Sequence, residues 1–230
     1  MSERRERSTI DSFERLVIDP LEKTGRELAH LLNAIVVPRA IAWVSTISDT
    51  GVTNLAPHSY TTVLSPHPPI VGFVSVGQKD TLRNVRSTGD FVYNVATEEL
   101  LDAVNLTASD FPPDISEFDW AGLTTIPSDH VRSPRLAESP LSMEARLEDI
   151  LQVADTNNFL VMGRVVRMHL ARSVLNGDRI DVGKVRPPAR LGGSQYSLFG
   201  EIVTRKRPVW ADLRNAEDGK TAVDGDETVR

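Results

Sequence analysis

Apolar and polar positions follow two rhythms along the chain. TGRELAHLLNAI sets Leu28, Leu31, Leu32 and Ile35 at helical spacing behind a capping box at Thr24 and Glu27, which predicts a short amphipathic helix. After Pro38 the signals turn to strands. IAWVSTI (41–47) is short and β-branched, SDTG follows it, and VTNLA resumes beyond the turn, a hairpin pattern. IVGFVSV (70–76) and FVYNVAT (91–97) predict buried strands, and TLRNVRSTG between them a brief helix closed by Gly89. ELLDAVNLTAS predicts another helix. SMEARLEDIL and NFLVMGRVVRMHL, joined by QVADTN, predict a long antiparallel hairpin from Ser142 to Leu170. With many strands and few intervening helices, the expected fold is mainly β with peripheral helices, a barrel rather than a doubly wound sheet.

Composition narrows the chemistry. The 230 residues suffice for one substantial core, and 40 % hydrophobic with 25 % charged residues is the balance of an ordinary globular protein. The expected organisation is an N-terminal arm (1–22), one barrel domain (23–203) and a polar C-terminal arm (204–230) in which Trp210 is a packing anchor or an interface residue. The longest apolar run, Ile70 to Val76, is too short to span a bilayer, and MSERRERSTIDSFERL has no apolar signal region, so a cytoplasmic location is expected. With no cysteine, a disulfide, a thiolate nucleophile and a cysteine-ligated metal are excluded, and any redox chemistry must come from a bound organic cofactor. A net charge of −6 argues against general nucleic-acid binding.

Several familiar sites are missing. LGGSQYS has Tyr196 where a nucleophile elbow needs its last glycine, and neither a GxxxxGK[ST] loop nor a GxGxxG fingerprint occurs. His30, His58, His67, His130 and His169 are scattered with no helical pair, so no metal site is expected. In VGQKDTLRN, Lys79 precedes a helix that Asp80 or Thr81 can cap, a cation and free N–H groups in the arrangement that receives a phosphate. The plain alternative is a capped helix with Lys79 in water. Asn54 to Tyr60 carries Asn, His and Ser around a proline, suited to the polar edge of a heteroaromatic ring or to an ordinary turn. Ser45 and Thr46 end a strand beside Trp43, as ligand hydroxyls or as edge-strand polar residues.

In this order PRAIAWVST, NLAPHSY, KDTLRN with TGDFVYNV, and RLGGSQYS resemble the flavin reductase-like family of FMN-binding split barrels, which includes flavoredoxins and reductase components of two-component monooxygenases. The resemblance runs from about Pro38 to about Gly200. It implies a split β-barrel paired as a homodimer, with FMN near the subunit interface. It also implies that Asn54, Leu55, Ala56, Pro57, His58 and Ser59 hold the isoalloxazine, and that Ser45, Thr46, Lys79, Asp80, Thr81 and Asn84 meet the phosphate. No catalytic side chain is implied: NADH or NADPH gives hydride to flavin N5, and the electrons pass to oxygen, free flavin or a partner monooxygenase. A non-catalytic FMN carrier and a cofactor-free binding domain are the alternatives. Two positions depart from the family pattern. His58 stands where relatives commonly carry Tyr, and Asn158 where others carry His, which removes any proton or nicotinamide role for that His. The long hairpin leaves strand edges, and NFLVMG has no charge to guard them, which also favours a homodimer.

Overall fold

The computed structural model describes residues 14–210, 213 and 214; most of the two expected arms, 1–13 and 215–230, lies outside the described residues. The chain divides into a unit Met1–Phe199 and a unit Gly200–Arg230. In the second unit, residues 200–210 are exposed. Trp210 is 71 % exposed, so it is not the packing anchor the sequence suggested.

In the first unit, α1 (Gly25–Ile35) begins where the Thr24 hydroxyl accepts from the Glu27 N–H and the Glu27 carboxylate accepts in return from the Thr24 N–H, the expected capping box. Then follow β1 (Ala42–Ile47), β2 (Thr53–His58), β3 (Thr61–Pro66), β4 (Pro69–Val76), α2 (Asp80–Thr88) and β5 (Asp90–Val95). The later elements are α3 (Leu101–Leu106), α4 (Glu117–Ala121), the two-residue strands β6 (Thr125–Ile126) and β7 (Arg135–Leu136), and the long hairpin β8 (Leu141–Gln152) and β9 (Asn158–Leu170). Seven strands form one antiparallel sheet in the order β2-β1-β5-β8-β9-β4-β3. The sheet curls until β2 comes against β4. This is the expected β fold with peripheral helices.

β1 shows how the pattern becomes layers. Ala42 and Val44 face one core with Phe73, Leu82, Phe91 and Val161, while Ile41 and Trp43 face the other with Leu55, Val104, Phe118 and Leu136. This is the period-two alternation of a strand buried on both faces. Full burial of each such large side chain contributes roughly 1.5–3 kcal/mol. Trp43 is fully buried, so its indole N–H needs a partner, and Thr107 Oγ1 accepts it at 2.9 Å. Gly89 ends α2 at φ 76°, a left-handed turn that leads at once into β5.

Helix α1 reverses the usual rule. None of its residues is buried, and the apolar Leu32 and Ile35 are 58 % and 73 % exposed. Its Arg26, Ala29, His30 and Asn33, spaced by three and four, instead line a cavity.

Candidate functional site

A cavity of about 720 Å³ lies among α1, the end of β2, β4, the start of α2, the loop from Thr107 to Phe111 and the Arg190–Gly193 turn. Ala56, Pro57 and Val74 give it apolar surface. On one wall, α2 starts with Lys79 as its N-cap residue and no side chain caps it. The first-turn N–H groups therefore keep their capacity to donate, with the positive end of the helix dipole behind them. Asp80, which the sequence offered as a cap, is instead the first helical residue and pairs with the Arg83 guanidinium. Lys79 Nζ donates to Asp110 Oδ1 at 2.6 Å, a contact that holds the Asp110 carboxyl below its ordinary value.

Within and behind this wall lies a buried polar cluster. With its amide nitrogen toward Glu117 Oε1 (3.2 Å), Asn54 accepts from the hydroxyls of Thr81 (3.1 Å) and Thr46 (3.2 Å). Asn84 Nδ2 donates to Thr46 Oγ1 at 3.0 Å, and the Leu55 N–H donates to Glu117 Oε2 at 3.0 Å. Burial raises the Glu117 pKa; the Leu55 N–H opposes that rise, and the charge of Asp80 adds to it. His58 packs its ring 4.5 Å from that of Phe73 and sets Nε2 3.4 Å from Thr81 Oγ1. Desolvation pulls the His58 pKa down to about 4; a backbone hydrogen bond at Val74 opposes this and the Lys79 charge reinforces it. The imidazole is neutral at physiological pH.

Of the twelve residues marked from the sequence, Asn54, Ala56, Pro57, His58, Ser59, Lys79, Asp80 and Thr81 line the cavity together. Ser45, Thr46, Leu55 and Asn84 stand behind its wall. Strand alternation sends the first two to opposite faces. Ser45 Oγ donates to the Pro134 carbonyl at 2.5 Å and accepts from Asn94 at 3.0 Å, while Thr46 is held by Asn84 and Asn54. Leu55 points into the second core. Asn158, at the head of β9, is not among the lining residues; Tyr196 stacks under Arg190 at 4.4 Å.

Sequence reasoning missed four residues that shape the site. Arg39, only 9 % exposed, donates to the carbonyls of Asn33 (2.6 Å), Val36 (2.8 Å) and Leu191 (2.9 Å) and so ties the end of α1 to the far turn. Its signal was present as an arginine inside the PRAIAWVST motif. Tyr60 adds a second tie by donating to Asn33 Oδ1 at 2.7 Å. Glu117 sits on a five-residue helix too short to announce itself, and Asp110 on an irregular loop.

Elsewhere Asp129, Glu144 and His169 bring one ligand atom each within 4.8 Å of one another, across strands that no sequence spacing would link. Glu144 is fully buried; burial pushes its carboxyl up, but bonds from the N–H groups of Asp129 (2.8 Å) and His130 (2.7 Å) and from His169 (2.6 Å) outweigh that and hold it below its ordinary value. Arg135 lies 4.0 Å from Glu144 and Arg167 3.6 Å from Asp129, so the group forms a charge-balanced cluster.

Comparison with known proteins agrees with this geometry. Residues 34–183 match the family described as flavin reductase like domain. A protein of Halalkalibacterium halodurans is 38 % identical over 208 residues, covering 86 % of this chain and 99 % of its own. YwrF of Bacillus subtilis is 34 % identical, covering 80 % of this chain and 95 % of its own. Among solved structures, nitrilotriacetate monooxygenase component B from Bacillus cereus superposes with a TM-score of 0.79 at 33 % identity, covering 84 % of this chain and all of its own. The 2-nitrobenzoate 2-nitroreductase NbaA of Pseudomonas fluorescens superposes equally, TM-score 0.79 at 28 % identity, over 85 % of this chain and 98 % of its own. Among the described residues, no helix is long and apolar enough to cross a membrane.

Proposed function

This chain belongs to the flavin reductase-like family, and on that footing we propose that it is an FMN-binding oxidoreductase. Its donor is NADH or NADPH, and its electrons pass to oxygen, free flavin or a partner monooxygenase, the last suggested by the likeness to a monooxygenase component B. The observation that carries this reading is the uncapped start of α2 beside Lys79 and Thr81, at the end of a partly apolar cavity. The donor set fits the mononucleotide: the first-turn N–H groups and an ammonium suit a terminal phosphate, and Ala56, Pro57 and Val74 suit a flat ring. Bound FMN supplies a ring whose N5 accepts hydride, two electrons and a proton together, and gives the electrons up to the acceptor.

The chain's residues bind and orient. Lys79 exchanges its Asp110 contact for the phosphate, Thr81 is held in place by Asn54, and the neutral His58 lies against Phe73 and keeps that part of the wall free of added charge. No side chain is assigned a proton-transfer step. The test is steady oxidation of NADH or NADPH by the purified protein with added FMN. Flavin bound without turnover would make the protein an electron carrier, and failure to bind flavin would overturn the reading.

A homodimer belongs to the same proposal. The outward face of α1 carries Leu32 and Ile35, and β3, at one edge of the sheet, exposes Val63 to 68 %. A second copy covering these surfaces removes an apolar stripe and an open strand edge together.

A further inference from the structure

We propose that Arg26 and His30 seat the 2′-phosphate of NADPH, making NADPH the preferred donor; the inference rests on the reductase reading above. The cavity's basic side chains are otherwise committed. Lys79 pairs with Asp110 and Arg83 with Asp80. Arg39 donates to three carbonyls, and Arg190 donates to the Gly193 carbonyl at 2.6 Å while it stacks on Tyr196. Among the described residues, Arg26 and His30 line the cavity with no hydrogen bond or ion pair of their own.

Their placement suits a phosphomonoester. Four residues apart on one helix, they stand one above the other on the cavity face. The acid nearest in sequence, Glu27, is held by Thr24 and lies 3.9 Å from Lys23. A guanidinium fork gives two parallel donors to phosphate oxygens, and the imidazole adds a third. Both side chains are exposed, which puts them at the mouth. A cavity of about 720 Å³ is of the size that encloses one drug-sized ligand, so a dinucleotide laid over a bound flavin must extend its adenosine end toward the mouth. The α2 wall already offers a seat for the flavin phosphate. A second, unpaired cationic seat calls for a second anion, and the 2′-phosphate is the one phosphomonoester that separates NADPH from NADH.

Fragment binding tests this without turnover. With FMN saturating, calorimetric titration compares 2′,5′-ADP with 5′-ADP, which carries a similar charge and no 2′-phosphate, in the wild type, Arg26→Gln and His30→Gln. The wild type is expected to favour 2′,5′-ADP by about tenfold or more, the worth of one charge-assisted hydrogen bond. Arg26→Gln should erase most of that preference and His30→Gln part of it, with FMN affinity unchanged. Equal binding of the two fragments by the wild type, or a preference that survives Arg26→Gln, overturns the proposal. A loss of FMN affinity in Arg26→Gln also overturns it, because these cations would then serve the flavin phosphate. Absence of NAD(P)H oxidation would sink the reductase reading separately, since the titration does not depend on turnover.

Discussion

On the α2 wall of the cavity, Asn54, Thr81, Thr46, Asn84 and Glu117 satisfy one another in a buried cluster; on the α1 wall, Arg26 and His30 stand exposed, without partners among the described residues. The first wall is stiff because moving any member would strand a buried polar atom, and such atoms cost about 1–3 kcal/mol each. The second is a helix with no buried residue, held by Arg39 and Tyr60. One cavity thus has a preorganised side, suited to a ligand that stays, and an accessible side, suited to one that comes and goes.

The strongest way to break the contrast is to cut the α1 wall loose. Arg39→Met removes three bonds from a buried guanidinium to carbonyls. Each such bond is worth about 1.5–3 kcal/mol and the losses do not simply add, so a fall of roughly 2–4 kcal/mol is expected in urea unfolding. The α2 cluster should survive, which retained FMN binding would show.

Acid probes the opposite wall. The His58 pKa is depressed to about 4 in the folded chain against 6.5 unfolded, so the neutral ring's contribution is complete above pH 6.5 and is lost as pH falls from 6.5 to 4. At 1.36 kcal/mol per unit the loss approaches about 3 kcal/mol. His58→Gln should flatten this limb of a stability–pH curve; an unchanged slope would detach it from His58.

Lys79→Ala should weaken FMN binding by roughly 1–3 kcal/mol, and Thr81→Ala by less. Fluorescence titration reads both, and an unchanged affinity in the lysine variant would return Lys79 to the solvent. The smallest effect comes from Asp110→Asn. Exposed ion pairs are worth about 0–1 kcal/mol, so freeing Lys79 from Asp110 should tighten FMN by no more than that. A weaker complex would mean that Asp110 helps to hold the ligand.

Much of the preorganised wall was legible in the sequence. The β1–β2 hairpin, α2 and its Gly89 stop follow from periodicity and turn chemistry, and eight of the twelve marked residues line the cavity. Ser45 and Thr46 illustrate the limit: adjacent on a strand, they point to opposite faces, and which neighbours occupy those faces is a tertiary fact. Strand β3 was missed because Pro66 and a register shift between Val63 and Ser65 interrupt its pattern. The role of α1 was hidden by the rule that an amphipathic helix turns its apolar stripe inward. Here Arg26, His30 and Asn33 line a cavity instead, and Leu32 and Ile35 are left on the outside. Arg39 was visible as a residue, but its carbonyl partners come from segments up to 152 positions away.

The uncapped end of α2 is the proposed seat of a flavin phosphate. Titration of flavin-free protein with FMN and with riboflavin, which differ only by that phosphate, tests it directly. FMN is expected to bind tighter by about tenfold or more, and Lys79→Ala to narrow the gap. Equal affinity for the two flavins in the wild type would contradict it.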